Sequence, residues 1–514
     1  MIMKIKNILK IFIVSSALSS TVTSCSDWLQ VDLEDSILES TLFDTNEGYV
    51  SALNGVYARM NEQYASTLSM GTIDVMAKLY NIGMNHNQYP YYSYSFDDSS
   101  FEGTSSSVWT GLYSQIANIN TLLEYCDLDD SALKSHYYTY VKGEALALRA
   151  MFHFDLLRIY GPIYSEETAN TKCIPYQETT SKEIQPLLSA SEVIEKVIRD
   201  LKNAAELLKD DKIRTEGVMN GTSEDPNETT DFRYRQFRLN YYAVQGLLAR
   251  AYLWKGDKTS AYECAIAIIT ENETNKVFTW IPKASVQGTN PDLLFSTEVM
   301  FALYNPVRVN QYDYMFNPTA SFSSILTFPG SSMSEGDEGS KIHHFYPDVD
   351  DLRRTAMWSL EDVVETSEGG TSNEHKMLCF SKYKNININE TRRYMIPLLR
   401  LSEIYLIAAE CTDNLEEAIG YINAIRNNRN CVNLPLTDSK DEVQKYIDGE
   451  FTREMIGEGQ IYFYYKRLAK TSVLSGSSVD YEEDWYGNRT LYSNMLLQEY
   501  VWPMPEIEKD RRGN

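Results

Sequence analysis

Apolar side chains recur at steps of three or four positions along much of the chain, a spacing that predicts helices with one buried face. These stripes predict helices near residues 47–60, 109–123, 141–160 and 191–208. Between the first two, residues 81–107 are rich in Gly, Asn, Tyr and Ser, a composition that predicts a loop. The early part of the chain is therefore expected to be mostly α-helical.

The segment 240–270 has the spacing of a tetratricopeptide helical pair. Small residues allow two antiparallel helices to approach closely, and Gly256 with Asp257 supplies the turn between them. The position usually taken by tryptophan is Gln245. A second, looser pair is predicted to turn at Asp413 and Asn414. The small residues are Ala249, Ala261 and Ala265 in the first pair and Ala408 and Ala418 in the second.

We therefore predict a mostly α fold in which tetratricopeptide-like hairpins form a scaffold over about 40–270 and 398–430. Residues 271–397 interrupt the helical pattern with Pro-, Gly- and Ser-rich pieces and many aromatic residues. Residues 431–514 continue irregularly, with one helix predicted near 441–468. Because binding residues are often carried on loops that a rigid scaffold positions, 271–397 and 431–514 are predicted to form an irregular ligand-binding lobe.

The amino terminus reads as an export signal that ends in a lipid-attachment site. Lys4, Lys6 and Lys10 precede a short apolar run at 11–18, which is too short to span a bilayer. The segment ending in Cys25 resembles a bacterial lipobox, in which small residues precede the cysteine that takes diacylglycerol and carries further acyl chains such as palmitate. Residues 1–24 are thus predicted to be a lipoprotein signal peptide. An ordinary secretory signal with a chance cysteine is the alternative.

The chain has 47 basic and 72 acidic residues, a formal net charge of −25. This balance argues against nucleic-acid partners and anionic lipid surfaces, because phosphate groups would be repelled. No later segment is apolar enough to span a membrane, so lipid is the only expected membrane contact. The six cysteines after Cys25 are scattered without a C-x-x-C motif, so we expect mostly buried free thiols rather than a metal site.

Motifs for common enzyme chemistry are missing from the sequence. It has no Walker A, Rossmann glycine pattern, nucleophile elbow or HExxH motif. Neighbouring His343 and His344 would point apart, and His375 is distant in sequence, so neither a metal nor another cofactor is expected. Glu454 and Glu458 lie four positions apart, and we expect them to be solvated or paired with arginines rather than catalytic.

An ordered set of motifs resembles the SusD/RagB family of nutrient-capturing surface lipoproteins of Bacteroidetes-type bacteria. The most specific is Gly143–Ala150 followed by Phe154–Gly161. The chain departs from the family after Gly459, where it continues with aromatic residues, and at its carboxyl end. The other matching segments are Cys25–Leu29, Trp109–Asn120, Arg400–Glu410, Ala424–Arg426, Glu454–Gly459 and Pro503–Glu508.

The resemblance implies a single SusD-like domain over 25–514, lipid-anchored at the cell surface in the outer membrane. It also implies that the helical pairs pack on a SusC-like TonB-dependent transporter, while the irregular lobe binds a glycan, or less often a peptide, and lids the transporter. We therefore predict a non-enzymatic, glycan-binding nutrient-uptake protein. A helical scaffold lipoprotein that binds only protein and a surface glycoside hydrolase remain the alternatives.

Glycans have apolar C–H faces and polar rims, so their binding sites combine aromatic rings with amides and charged groups. Two stretches offer this mixture: Tyr80–Phe96, which also holds Asn81 and Asn85, and Trp280–Trp358. Trp109, on an apolar helical stripe, is instead expected to pack in the core. The candidate ligand residues are Tyr80, Asn87, Tyr89, Tyr91, Tyr92, Tyr94, Trp280, Tyr304, Tyr312, Tyr314 and Trp358.

Overall fold

A computed structural model describes residues 41–222, 229–328, 333, 341–366, 370, 372–474, 480–483 and 489–513. The predicted signal peptide and the predicted lipid attachment at Cys25 lie outside these residues. Among the helices of the described residues, none has the length and apolar composition required to cross a bilayer.

The described chain is mostly α-helical, as predicted. Five short 3-10 turns accompany the α-helices within the described residues, at Arg235–Phe237, Lys283–Val286, Ser296–Glu298, Thr391–Tyr394 and Leu497–Tyr500. In chain order the α-helices are α1 (Asn46–Arg59), α2 (Asn61–Tyr64), α3 (Thr72–Met76), α4 (Tyr89–Tyr92), α5 (Ser99–Cys126), α6 (Ser135–Tyr160), α7 (Ala190–Leu207), α8 (Ile213–Glu216), α9 (Tyr241–Lys255), α10 (Lys258–Asn275), α11 (Arg308–Met315), α12 (Lys341–Phe345), α13 (Leu352–Met357), α14 (Leu401–Cys411), α15 (Leu415–Asn427), α16 (Lys440–Met455), α17 (Ile461–Arg467) and α18 (Glu506–Arg512).

Polar side chains at the helix starts supply acceptors for amide groups that the helices leave unpaired. Ser189 and Glu192 form the reciprocal capping box that their spacing predicts, at the start of α7. Asp98 accepts from the Ser100 amide and so starts α5 eight residues before the predicted end of the 81–107 loop. That loop prediction was wrong at this end, because the serine-rich first turns of α5 are stabilised by burial of Phe101 and Ser105 rather than by helical propensity.

The short strands form four small antiparallel sheets within the described residues. Strands pair in the orders β1–β2, β3–β7, β4–β6–β5 and β8–β10–β9. The longest pairing, β5 with β6, runs in unbroken register from Trp358 opposite Phe380 to Thr366 opposite Ser372. The strands are β1 (Lys172–Ile174), β2 (Leu188–Ser189), β3 (Val299–Tyr304), β4 (Thr327–Phe328), β5 (Trp358–Thr366), β6 (Ser372–Phe380), β7 (Met395–Arg400), β8 (Ser472–Leu474), β9 (Asp480–Glu483) and β10 (Arg489–Asn494).

Antiparallel helical pairs form the scaffold. Helices α9 and α10 pack together as the first predicted tetratricopeptide-like pair, with Gly256 in the left-handed region (φ +88°) at the turn. Helices α14 and α15 form the second pair, and α10 packs against α14, so the two pairs are stacked. Nearby, where α9 meets β7, a Cβ on Gly246 would come within 2.6 Å of a Leu399 methyl carbon. Absence of a side chain there allows α9 to approach β7 closely.

The region after residue 430 is more regular than predicted. The single helix expected near 441–468 is two helices, α16 and α17, separated at Gly457 and Gly459, which have φ values of +77° and +69°. Helix α16 packs against α14 and α15 of the scaffold. The sequence prediction assigns this stretch to the irregular lobe, whereas in the structure α16 packs on the second helical pair.

A buried network of arginines and glutamates connects the 271–397 segment to the scaffold. Arg400 Nη1 lies 2.7 Å from Glu454 Oε1, and Arg429 Nη2 lies 2.6 Å from Glu298 Oε2 and 2.5 Å from Glu454 Oε1. Arg400 Nε also contacts Glu458 Oε1 at 2.7 Å. The expectation that Glu454 and Glu458 pair with arginines is confirmed, although α16 ends before Glu458.

The six cysteines from Cys126 to Cys431 are all free thiols in the structure, four of them buried and two half-buried. Trp109 is buried, with its ring centroid 4.9 Å from that of Tyr160. Both observations agree with the predictions from sequence.

Candidate functional site

A surface cleft of about 640 Å³ lies where three distant segments of the chain meet. We call it the hairpin cleft, because strands β5 and β6 form one of its walls. Loop 81–86 and loop 319–325 form the others. The lining residues are Asn81, Gly83, Met84, Asn85, His86, Thr319, Ala320, Ser321, Phe322, Ser323, Ile325, Val364, Glu365, Thr366 and Met377.

Backbone hydrogen bonds hold the first loop against the second. The Asn81 amide donates to the Thr327 carbonyl at 2.8 Å, and the Asn87 amide donates to the Ser323 carbonyl at 2.7 Å. These two bonds lie at either end of loop 81–86. Backbone pairing therefore sets the width of the cleft, and the side chains of Asn81, Met84 and Asn85 remain exposed to it.

His86 adds a third connection from inside the loop. The Gln88 amide donates to its Nδ1 at 3.0 Å, so Nε2 carries the proton and donates to the Ile325 carbonyl at 3.1 Å. Burial lowers the pKa of His86, while its bond to Ile325 opposes that shift. The ring is thus neutral at neutral pH, and it works as a structural connector rather than a ligand contact.

The hairpin wall carries Glu365, the carboxylate of the cleft. His375 Nε2 lies 2.9 Å from Glu365 Oε2 across the two strands, and both side chains are about two-fifths exposed. The Phe322 ring packs against His375 with centroids 4.9 Å apart. Ile325, Val363 and Cys379 form a small apolar cluster beneath this wall, separate from the main core of the described residues.

The cleft offers mainly neutral polar groups and apolar surface. Asn81 and Asn85 are exposed, and neither side-chain amide has a hydrogen-bond partner among the described residues. Met84 is 80% exposed, and Phe322 is half-buried. Among the described lining residues there is no lysine or arginine, and Glu365 is the one carboxylate. Such a surface suits an uncharged ligand with both hydroxyl groups and C–H faces.

The structure brings the two sequence-predicted stretches together, but it uses many of the predicted rings in the core. Tyr80 is fully buried and donates to Asp74 Oδ2 at 2.8 Å. Tyr91 donates to the Ser100 carbonyl, and Tyr94 donates to the Met76 carbonyl. Tyr312 and Trp358 are also buried, with 5% and 3% exposed. In this structure these five side chains pack beneath exposed neighbours and do not line the hairpin cleft.

The other six predicted residues are exposed or half-buried. Asn87 and Tyr314 flank the hairpin cleft, since the Asn87 amide and the Tyr314 carbonyl both bond to the turn at 321–324. Trp280 packs instead on Tyr405 of the scaffold, and Tyr304 packs between Phe237 and Tyr394. Tyr89 and Tyr92 lie half-buried on α4. Ligand contact by any of the eleven stays a prediction.

Sequence reasoning did not select several residues that line the cleft. Asn81 and Asn85 belong to a stretch recognised as suitable, yet its more numerous tyrosines were preferred. Phe322, Glu365 and Met377 were missed, because only the fold of the β5–β6 hairpin brings Glu365 and Met377 next to Phe322. The serine-rich run around Phe322 was the available signal for that loop.

Stacked helical pairs that carry a preformed polar cleft between their loops define the class as a helical scaffold with a candidate binding cleft. Comparisons with known proteins define the class further. Residues 27–218 match a SusD-like family model described as starch-binding and associating with the outer membrane, and residues 358–514 match the SusD family model. The chain belongs to the SusD/RagB family.

Relatives and solved structures agree with this assignment over nearly the whole chain. The SusD-like protein P38 of Formosa agariphila is 23% identical over 97% of this chain and 99% of its own length. A SusD superfamily structure from Bacteroides thetaiotaomicron has a TM-score of 0.67 at 21% identity, covering 91% of this chain and 98% of that one. A SusD-like carbohydrate binding protein from Bacteroides vulgatus has a TM-score of 0.64 at 17% identity, covering 91% and 97%.

Proposed function

We propose that this protein captures a glycan in the hairpin cleft. The observation that carries the proposal is the pair of exposed amides of Asn81 and Asn85, which have no side-chain hydrogen-bond partner within the described part of the chain and share a cleft with the Phe322 ring. Side-chain amides can donate to and accept from sugar hydroxyls, and an aromatic ring can pack on sugar C–H groups. The starch-binding description of the matched family model and the carbohydrate-binding relative support this choice of ligand.

The proposed activity is binding without hydrolysis. Glycosidases generally place two carboxyl groups on opposite sides of the scissile bond. In the hairpin cleft, Glu365 is the single carboxylate among the described lining residues, and it is paired with His375. This composition supports capture rather than catalysis. The glycoside hydrolase alternative predicts released sugar when the protein is incubated with a bound glycan.

The proposed setting is the outer face of the outer membrane, with Cys25 as the lipid anchor. In this proposal the helical pairs pack on a SusC-like TonB-dependent transporter, and the protein hands its ligand into that transporter by a hinged motion. Support comes from the family assignment and from the lipobox-like sequence before Cys25. Purification of the protein from native membranes tests the partnership, which is rejected if no such transporter accompanies it.

Binding to a panel of neutral oligosaccharides tests the cleft itself. The variant Asn81→Ala/Asn85→Ala is expected to weaken binding by at least about tenfold, because each lost hydrogen bond to a neutral group contributes about 1 kcal/mol. Asn203→Ala/Asn433→Ala is the matched control, since both asparagines are exposed and lie outside the cleft. Isothermal titration calorimetry measures both. Equal affinities in the two variants would reject the hairpin cleft as the binding site.

A further inference from the structure

A second cleft, of about 560 Å³, lies on another part of the surface. It runs between helix α5, loop 175–185 and the last helix, α18, and we call it the C-terminal cleft. It shares no lining residue with the hairpin cleft. The two are therefore separate sites that can be altered independently.

Buried hydrogen bonds hold one wall of the C-terminal cleft in place. Asn120, which is 2% exposed, donates through Nδ2 to the Gln177 and Thr179 carbonyls, each at 3.2 Å. Its Oδ1 accepts from Arg149 Nη1 at 3.1 Å. The Tyr113 hydroxyl donates to the Pro175 carbonyl at 2.9 Å. The loop is thus preorganised, which lowers the conformational entropy that the loop itself would lose when a ligand binds.

Two cations in this cleft lack a carboxylate partner among the described residues. Lys182 and Arg511 are both exposed, and neither forms an ion pair there. Arg511 Nη2 instead contacts the Lys182 carbonyl at 3.5 Å, which places the two residues side by side. The neighbouring Arg512 contrasts with them, because its Nη2 lies 2.7 Å from Glu508 Oε1.

Other exposed lysines, such as Lys202 and Lys283, also form no ion pair among the described residues, but Lys182 and Arg511 share one cleft on a chain with a net charge of −25. With 72 acidic residues available, most cations could be neutralised locally. Glu508 also lines this cleft but is paired with Arg512, so two exposed cations without an ion pair among the described residues remain to attract an anion. The two cations favour a ligand with an anionic group, and they distinguish this cleft from the hairpin cleft, whose described lining holds Glu365 and no lysine or arginine.

The rest of the lining suits a sugar ring. Ile184 and Ile507 are 48% and 53% exposed at the cleft, and they provide apolar surface for C–H faces. Hydroxyl groups of Thr110, Ser114 and Thr121 lie along the helix wall. We propose that the C-terminal cleft binds a saccharide unit that carries a carboxylate or sulfate group, with Lys182 and Arg511 pairing with the anion. The choice of a saccharide rests on the proposed function, whereas the preference for an anion rests on this cleft alone.

Calorimetry on the purified protein at low salt tests the proposal, with tetragalacturonate, a sulfated tetrasaccharide and neutral maltotetraose as probes. Replacing both cations, as Lys182→Gln/Arg511→Gln, is expected to weaken binding of an acidic probe by about tenfold or more, because charge-assisted hydrogen bonds are lost. The matched control, Lys202→Gln/Lys283→Gln, removes the same charge from exposed positions outside the cleft. It is expected to bind like the unaltered protein.

The outcomes separate this proposal from the one for the hairpin cleft. Acidic probes should still bind to Asn81→Ala/Asn85→Ala, even if no neutral glycan binds to any form of the protein. The proposal is overturned if neither acidic probe binds to the unaltered protein. It is also overturned if both double-Gln variants lose affinity equally, or if inorganic sulfate binds as tightly as the sulfated saccharide.

Discussion

At the scale of single residues, Asp74 shows how one buried carboxyl joins distant parts of the chain. It accepts hydrogen bonds from the Tyr80 hydroxyl at 2.8 Å and from the amides of Gly457 and Gly459 at 2.7 and 3.2 Å. Burial raises the pKa of Asp74 to about 7, against the opposing effect of these donors. The turn between α16 and α17 can reach Asp74 because both glycines adopt positive φ values.

Substitution of Gly459 is expected to be much more costly than substitution of Gly256. A Cβ on Gly459 would lie 2.5 Å from the Leu68 carbonyl oxygen, whereas one on Gly256 would meet open space. Both have positive φ, so Gly256→Ala should cost about 1–2 kcal/mol from backbone strain alone. Gly459→Ala should cost about 1–3 kcal/mol more, because the backbone must move. Urea denaturation measures both, and equal losses would contradict this explanation.

At the scale of elements, the β5–β6 hairpin forms a wall of the hairpin cleft and is anchored in two places. Trp358, Leu378 and Phe380 join its base to the main core, whereas a separate small apolar cluster supports its other face. Val363 is fully buried in that cluster with Ile325 and Cys379. Beyond that base the strands have few core contacts, so the distal part of the hairpin should open more easily than the scaffold helices do. Such an element can change conformation without unfolding the helical pairs.

Removing volume from this cluster should loosen the hairpin locally. Val363→Ala is expected to speed amide hydrogen exchange in β5 and β6, because the strands lose part of the apolar contact beneath them. Exchange in α9 and α10 should be unchanged, since these helices belong to the main core. Val364→Ala is the control, because it removes the same volume from an exposed side chain of β5 and should leave the exchange rates nearly unchanged. Faster exchange throughout the protein would show that the hairpin and scaffold open together.

At the scale of the whole molecule, the buried Arg–Glu network couples the inserted segment to the helical pairs. Arg353 contacts Glu450 at 2.5 Å and Glu454 at 2.8 Å. Burial by itself would raise the pKa of Glu450, but Arg353, Arg453 and Arg426 outweigh it and lower the pKa to about 2. Several such pairs cross between segments that are far apart in sequence, so their charges contribute to the stability of the assembled molecule.

Acid should therefore weaken the fold in a defined pH range. Because the pKa of Glu450 falls from 4.5 to about 2 on folding, its contribution is complete above pH 4.5 and is lost as the pH falls towards 2. This contribution is on the order of 3 kcal/mol. Glu450→Gln should lower the free energy of unfolding at neutral pH and flatten its dependence on acid, whereas exposed Glu263→Gln should do neither. Urea denaturation from pH 7 to 3 measures these free energies of unfolding. Parallel pH profiles for Glu450→Gln and the unaltered protein would contradict the assigned role of Glu450.

Local sequence patterns predicted the helical part of this fold well. The helix at 141–160, the capping box at Ser189 and the turn at Gly256 all agree with the structure. These features depend on residues within a few turns of one another, so the sequence contains the necessary information. The start of α5 and the break between α16 and α17 were missed, because burial and positive-φ glycines decided them.

The candidate site shows where local patterns are insufficient. Tyr80 and Tyr91 appeared to be free aromatic groups in a polar loop, yet each is buried with its hydroxyl bonded inside the protein. Tyrosine suits a core or a binding surface equally well, so composition cannot distinguish the two. Asn85, Phe322 and Glu365 are far apart in the sequence, and only folding brings them to one cleft.

Periodicity, capping residues and the motif set were enough to predict helical pairs and family membership, because such signals are carried by neighbouring residues along the chain. Which side chains face a ligand, and which cations remain unpaired, depended on contacts between segments hundreds of residues apart. Lys182 and Arg511 share a cleft only after α18 packs beside loop 175–185. Tertiary packing decided both clefts, since exposure and pairing are properties of the assembled surface.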